Sequence, residues 1–487
     1  MNLRKHDLQA IARLAMLEQG LEPEFPQEAL HQLSAIPGPA RDEGISLPEL
    51  TDLPWCSIDN DDSHDLDQIS SSERLPGGAI RLRVAVADVD ALVADQTPLD
   101  LHARKNTTSV YTGVRLFPML PERLCTDLTS LSEGEERIAI VIETTVAPDG
   151  KITDPRVFRA RVRNRAKLTY RAVGAWLEGA GPLPEAAARF PGMDEQLRMQ
   201  DEAAQNMREL RHEHGALELE TIQPRPITKD GVVVDLEQQK KDRAGELIED
   251  LMIAANGVTA RFLVSKGFPT LRRVVRSPER WARIAELAAG LKDPLPADPD
   301  PKALAGFLVR QKVRDPLRFP DLSLTVVKLM GRGEYVLEMP GQSPTGHFGL
   351  AVRDYNHSTA PNRRYPDLIT HRLLKAALSG RKPPYEADAL GQLAAHCTQQ
   401  ENAADKVERR VRKSASAMFL ENRIGEKFDA LVTGASDKGT WVRILKPPVD
   451  GKVVQGSSGL DVGDLVKVKL IEVDVENGWI DFAAVGG

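Results

Sequence analysis

The chain has 487 residues, of which 41% are apolar and 28% charged, and a net charge of −7. Such a length holds more than one domain, and such a composition excludes a disordered or fibrous protein. The acidic balance excludes a protein that coats nucleic acid with its whole surface, while leaving room for a local basic channel. Cys56, Cys125 and Cys397 are far apart, match neither a disulfide framework nor a zinc spacing, and fit a reducing cytoplasm. No apolar run reaches the ~20 residues of a membrane span, and the N-terminus shows no secretion signal. Expected, then, is a cytoplasmic protein without membrane contact.

Residues 1–35 read as two helices, with Leu8, Ile11, Ala12 and Ala15 at helical spacing and a second piece over Pro26–Leu33. They suit either a small helix-turn-helix-like domain or a clasp on the main body. Pro37, Gly38, Pro39, Gly44 and Pro48 mark a linker, so the first unit is 1–48. The next stretch, Ser57–Ile69, packs five carboxylates into nine positions. Asp65 and Asp67 project from one face of an extended backbone, and Asp59 can fold back beside them. Crowded carboxylates repel, so a bound cation is their natural partner, and oxygen donors suit Mg²⁺, Mn²⁺ or Ca²⁺. A solvated acidic turn is the plain alternative. A helix–loop–helix calcium site fails, because His64 stands where the turn needs glycine and Ser70 where a bidentate Glu belongs.

Residues 79–89 read as a strand, followed by a helical stretch to about Lys105. Arg159, Arg161, Arg163, Arg165 and Lys167 alternate with mostly apolar residues, putting five cations on one strand face. A phosphate backbone could lie along them, or they could keep an exposed edge strand soluble. Glu195–Glu220 reads as a polar helix whose His212 and His214 lack a third metal ligand. Residues 246–256 are apolar around most of a helix, so Glu249 and Asn256 on one of its faces require partners. A surface loop spans 289–303, and a helix from about Gln399 to Asn422 carries Glu408 beside an apolar stripe. From Ile424 onward, five short strands predict a small β-barrel.

Several of these segments resemble the RNase II family of exoribonucleases. The acidic stretch follows that family's pattern at Asp59, Asp65 and Asp67 but has Gln68 in place of a fourth acid. Tyr111 followed by Pro118-Met119-Leu120-Pro121, the Glu249 helix, and His347-Phe348-Gly349-Leu350 with Arg363-Arg364-Tyr365-Pro366-Asp367-Leu368 are similar too. Ala360 and Asn362 depart from the usual Ser and Ile beside the key arginine. The barrel resembles an S1 domain, an OB-fold that grips single-stranded RNA, although it lacks a common histidine.

The resemblance implies an α/β (α+β) catalytic domain over 49–423, an OB-fold barrel over 424–487, and a helical segment where two cold-shock folds usually stand. It implies a monomer that processively hydrolyses single-stranded RNA from the 3′ end to 5′-mononucleotides, and a channel that admits duplexes with a 3′ overhang more readily without the cold-shock folds. Asp59, Asp65, Asp67 and Gln68 would hold Mg²⁺, with Mn²⁺ as a substitute; Arg363 would clamp the reacting phosphate, and Glu408 would act in the catalytic centre. Tyr111 would stack on a nucleotide, Tyr170 and Glu249 would sense the 2′-hydroxyl with Asp250 as competitor, and Arg364, Phe428 and Trp441 would contact RNA. The alternatives are an RNA-binding protein whose catalytic centre has decayed at Gln68, and a metal-dependent DNA exonuclease.

Overall fold

The computed structural model describes residues 7–41, 46–220, 224–229, 232–238, 242–436 and 439–485. The chain enters through α1 (Leu8–Glu18) and α2 (Gln27–Ala35), then forms β1 (Cys56–Asp59), β2 (Gln68–Arg74) and β3 (Ile80–Ala87). After α3 (Pro98–Asn106) come the ribbon β4 (Val110–Tyr111) and β5 (Leu116–Phe117), then β6 (Glu136–Val146), β7 (Ile152–Arg163) and β8 (Ala166–Thr169). Helices α4 (Tyr170–Leu177), α5 (Glu185–Ala188) and α6 (Met193–Glu213) precede the ribbon β9 (Pro224–Lys229) and β10 (Val232–Gln238). Next are α7 (Arg243–Ser265) and β11 (Thr270–Val274), with α8 (Trp281–Gly290), α9 (Pro301–Arg314) and α10 (Phe319–Met330) before β12 (Glu334–Glu338). Helices α11 (Tyr365–Leu378) and α12 (Ala387–Leu420) lead to the terminal strands.

The main sheet has the order β7-β6-β3-β2-β1-β8, antiparallel throughout except that β8 joins β1 in parallel. Central strand β3 is buried along nearly all of its length, which explains why its sequence is almost continuously apolar. Helix α7 packs against β3, β6 and β7 and against α4 and α6, and its buried residues run round most of its circumference. This matches the all-round apolar pattern of 246–256 and extends it in both directions.

Edge strand β7 and the residues just after it carry the basic ladder, and four of its five cations are matched by carboxylates from three separate segments. Arg159 pairs with Asp88 at 2.7 Å, Arg161 with Glu49 at 3.2 Å, Arg163 with Glu136, and Arg165 with Asp52 at 3.3 Å. Four of the five cations are therefore paired in place, which favours the reading of a basic edge kept soluble.

Helix α1 lies along α12, where Ala12, Ala15 and Met16 share a core with Val110, Phe117, Val407 and Val411. Helix α2 packs on α3, and the Leu99 amide donates to Gln32 Oε1 at 2.9 Å. Both N-terminal helices thus sit on the main body as a clasp does.

Strands β13 (Lys427–Ser436), β14 (Gly439–Ile444), β15 (Val449–Gln455), β16 (Leu465–Asp474) and β17 (Trp479–Ala484) close a barrel in the order β13-β14-β15-β17-β16. Period-two alternation fills it with Phe428, Ala430, Val442, Val453, Leu470 and Phe482. Among the described residues no helix is long and apolar enough to cross a membrane.

Candidate active site

Asp59 is the last residue of β1, and its partner across the parallel pairing is Thr169. Thr169 caps α4 by accepting from the Ala172 amide at 3.3 Å, so Tyr170 begins the helix directly beside Asp59. Burial, and then repulsion by Asp59, pushes the Tyr170 hydroxyl up to about 12. Asp59 itself turns the loop: its Oδ1 accepts from the Asn60 amide at 2.8 Å and from Ser63 Oγ at 2.9 Å. The loop returns through half-buried Asp65 to fully buried Asp67, whose carbonyl accepts from the Ala87 amide at 2.9 Å.

Asp67 is gripped from both sides. Its Oδ1 accepts from the Asn362 amide at 3.1 Å and its Oδ2 from Arg363 Nε at 2.8 Å. Burial nevertheless pushes its carboxyl up to about 6, with Asp65 adding repulsion and Arg363 opposing it. Asp65 is also raised, first by burial and then by Asp59. Burial alone would lower the Arg363 pKa, but Asp67 foremost, with Tyr111, Asp59 and Asp65, holds it well above its ordinary value. Asp59, Asp65, Asp67, Arg363, Tyr111 and Tyr170 therefore form one electrostatic cluster.

A backbone seam fixes Tyr111 next to the arginine. The Ser109 amide donates to the Arg363 carbonyl at 2.9 Å and the Tyr365 amide to the Thr107 carbonyl at 2.8 Å. Ser109 Oγ accepts from the Met119 amide at 2.9 Å, and Met119 and Leu120 are fully buried, so the Pro-Met-Leu-Pro segment supports this loop from beneath. Tyr111 is 47% exposed, yet its hydroxyl faces the Arg363 guanidinium. An exposed ring anchored at its tip is suited to stacking on a base.

Other expected residues lie elsewhere or are otherwise occupied. Glu408 does not join the aspartates; its Oε1 accepts from the Tyr111 amide at 2.9 Å, so it positions that loop. Arg364 spends its guanidinium fork on Asp367, with two bonds of 2.8 Å. It reaches the same pocket as Arg363 only with what remains, so its expected RNA contact is at most partial. Glu249 is half-buried on α7, which packs on α4, while Asp250 is buried in an ion pair with Arg211. The pairing with Arg211 removes Asp250 as a competitor for the ribose.

Gln68 opens β2 opposite Val86, half-buried, and its side chain makes no hydrogen bond among the described residues. Strand alternation turns it away from the side occupied by Asp67.

In the barrel, Phe428 is only 7% exposed, packs edge-on against Phe482 and lies beneath Arg423. It is a core residue, and its expected stacking role is corrected by the strand's phase. Trp441 is half-buried on the outer face, with Lys452 Nζ 6.0 Å from its ring. Trp479, 64% exposed, was not anticipated; the inward Ile480 and Phe482 that follow it carry the phase that reveals it.

The donor set of Asp59, Asp65 and Asp67 is all carboxylate oxygen, and the burial that raises the Asp65 and Asp67 carboxyls, with repulsion between neighbours adding to it, is a cost that a divalent cation relieves. Among the described residues no three acidic, His or Cys side chains converge tightly enough to hold an ion as they stand. The residues fit a hard cation by chemistry, and holding one requires Asp67 to share its oxygens with Arg363 and the Asn362 amide.

The RNB domain model matches residues 48–380, and the model of the RNase II-type exonuclease C-terminal S1 domain matches residues 426–485. Ribonuclease R of Thermotoga maritima is 31% identical over 499 residues, covering 95% of this chain and 68% of that protein. Ribonuclease R of Escherichia coli is 30% identical over 524 residues, covering 99% of this chain and 61% of that protein. The chain thus spans about two-thirds of the length of these relatives. Among solved structures, Mycoplasma genitalium RNase R in complex with ribose methylated single-stranded RNA has a TM-score of 0.88 at 21% identity, over 98% of this chain and 78% of that one, a likeness of fold. With the RNB model spanning more than half of its length, this chain belongs to the RNB-domain family of ribonucleases.

Proposed function

We propose that the protein is a metal-dependent exoribonuclease that hydrolyses single-stranded RNA from its 3′ end to 5′-mononucleotides. The observation that carries this reading is the buried Asp67–Arg363 pair, set among further aspartates and beside the exposed ring of Tyr111. Asp59, Asp65 and Asp67 would hold Mg²⁺, or Mn²⁺ in its place, which when bound supplies an activated water and charge for the departing 3′ oxygen. Arg363, one-third exposed, turns its remaining N–H groups to the phosphoryl oxygens and neutralises charge that grows there. Tyr111 stacks on a base near the reacting end, and Glu408 holds its backbone. Tyr170, next to Asp59, and Glu249 on the neighbouring helix are positioned to read the ribose 2′-hydroxyl, the group that separates RNA from DNA. Trp441 with Lys452 offers a stacking surface on the barrel.

The test is incubation of purified protein with 5′-end-labelled single-stranded RNA and Mg²⁺, with and without EDTA, followed by identification of the products. A ladder shortening from the 3′ end with release of 5′-mononucleotides supports the proposal. Internal cuts, equal activity on DNA, or EDTA-resistant activity would overturn it.

A further inference from the structure

The pocket beside Arg363 and Arg364, about 280 Å³ in volume, has α12 as one wall, where Glu401 and Asp405 line it. The same two carboxylates line a second pocket of about 460 Å³ on their other side. That second pocket is bounded by Arg273 of β11, Lys328 near the end of α10, and Arg332 in the turn leading to β12. Its volume falls in the range of small-molecule sites, about 300–1,000 Å³.

The lining is built around exchangeable ion pairs. Arg273 donates through Nη1 to Glu401 at 2.6 Å, and its guanidinium lies 4.9 Å from the centre of the Tyr335 ring. Gly333 makes room for it, since a Cβ there would come within 2.6 Å of Arg273 Nη2. Arg332 pairs with Asp405 at 3.3 Å and also reaches Asn402, and both members of that ion pair are more than half exposed. Burial holds the Glu401 carboxyl above its ordinary range although Arg273 opposes this.

We propose that this second pocket is a way-station for the 5′-mononucleotide product, whose phosphate exchanges with Glu401 for Arg273 and with Asp405 for Arg332. The proposal rests on the exoribonuclease reading. Hydrolysis turns a diester with one charge into a monoester carrying about −1.5 to −2 at pH 7. The shortened RNA still occupies the end of the pocket at Tyr111 and Glu408, so the product leaves towards Glu401 and Asp405, which line both pockets. Three cations within reach suit a phosphate monoester better than the chain that remains behind.

The experiment uses 5′-AMP as probe and adenosine as control, with full-length wild type and the separate exposed-site variants Arg332→Glu and Lys328→Glu. Binding is measured calorimetrically without turnover, and RNA hydrolysis is followed under single-turnover and steady-state conditions. Expected are binding of 5′-AMP but not adenosine, at least tenfold weaker binding in Arg332→Glu, an unchanged single-turnover rate, and slower steady-state turnover. Binding of 5′-AMP unaltered by both variants, or single-turnover and steady-state rates falling together, overturns the way-station while leaving the exoribonuclease reading intact. A wild type that never cleaves RNA overturns that reading first, and the product role with it.

Discussion

Arg363 donates through Nε to Asp67 Oδ2 over 2.8 Å, so the cation proposed to face the phosphate and the most buried aspartate of the site are each other's partner. The two residues lie 296 positions apart. Substituting Asp67→Asn keeps the shape but removes the charge that both Arg363 and a metal ion require. Turnover should fall by about 10²–10³-fold or more, with RNA affinity in EDTA nearly unchanged. Steady-state hydrolysis and equilibrium binding check this, and weakened affinity with intact turnover would place Asp67 outside the chemistry.

Gln68 stands where the family pattern has an acid, and an amide contributes a neutral oxygen only. If it reaches the ion, Gln68→Asp shifts the Mg²⁺ titration of activity to lower concentration. Superimposable curves would agree with its position on the other side of β2. An inert wild type revived by Gln68→Asp would mark the natural protein as an RNA binder with a decayed centre.

Glu408 holds the Tyr111 loop, so its proposed effect on RNA runs through that ring. Glu408→Ala removes one hydrogen-bond acceptor, a loss of about 0.5–1.5 kcal/mol, and should raise KM for short oligonucleotides severalfold with little change in kcat. Glu408→Gln keeps an acceptor oxygen and should restore KM. Failure of that rescue would mean the charge of Glu408 matters in itself.

The barrel residues separate by burial. Phe428→Ala opens the barrel core and should cost about 3–5 kcal/mol of stability, visible as a lowered Tm. Trp441→Ala should leave Tm in place and weaken binding to long RNA by about 1–3 kcal/mol. A Tm drop for Trp441→Ala matching that of Phe428→Ala would deny it an RNA role.

Acid should loosen the region behind Arg364. His347 Nδ1 accepts from the Leu350 amide at 3.2 Å, which requires that nitrogen to be unprotonated. Burial, with help from Arg273, lowers its pKa to about 4. A histidine depressed in the folded state contributes stability that is complete above its unfolded value of about 6.5 and is lost as pH falls towards 4. Thermal melts of wild type should therefore decline from pH 7 to 4.5 more steeply than those of His347→Gln. Parallel declines would remove His347 from the account.

Much of the site was legible because its spacing is local. Asp65 and Asp67 two apart, and Asp59 before a polar turn, announce a carboxylate cluster by themselves. Arg363 was legible as a site residue only through the family pattern, and its pairing with Asp67 was not legible, since no local rule connects them. The parallel β1–β8 pairing that seats Tyr170 beside Asp59 is equally non-local. The basic ladder left two readings open for the same reason, as its four carboxylate partners lie far from it in sequence. Phe428 is different: Phe428, Ala430 and Val432 alternate with Lys427 and Asp429, and that phase already points the ring inward. The barrel's five strands were recovered within a few residues each, because glycines and turns bound them clearly.

Helix α12 runs unbroken for 34 residues, past Glu401 and Glu408 and into the barrel core at Ala415, Ala417 and Leu420. The twelve residues from Glu408 to Leu420 span roughly 18 Å, at 1.5 Å each. Gly478 of the barrel sits so close to this helix that a Cβ would come within 2.6 Å of Lys413. A helix resists stretching, so a load on the barrel is carried along one strut to the carboxylate that steadies Tyr111. A single residue inserted between Arg409 and Lys413 would turn the barrel by about 100° relative to that ring. Both ends would stay folded, and a load on one would no longer run straight to the other.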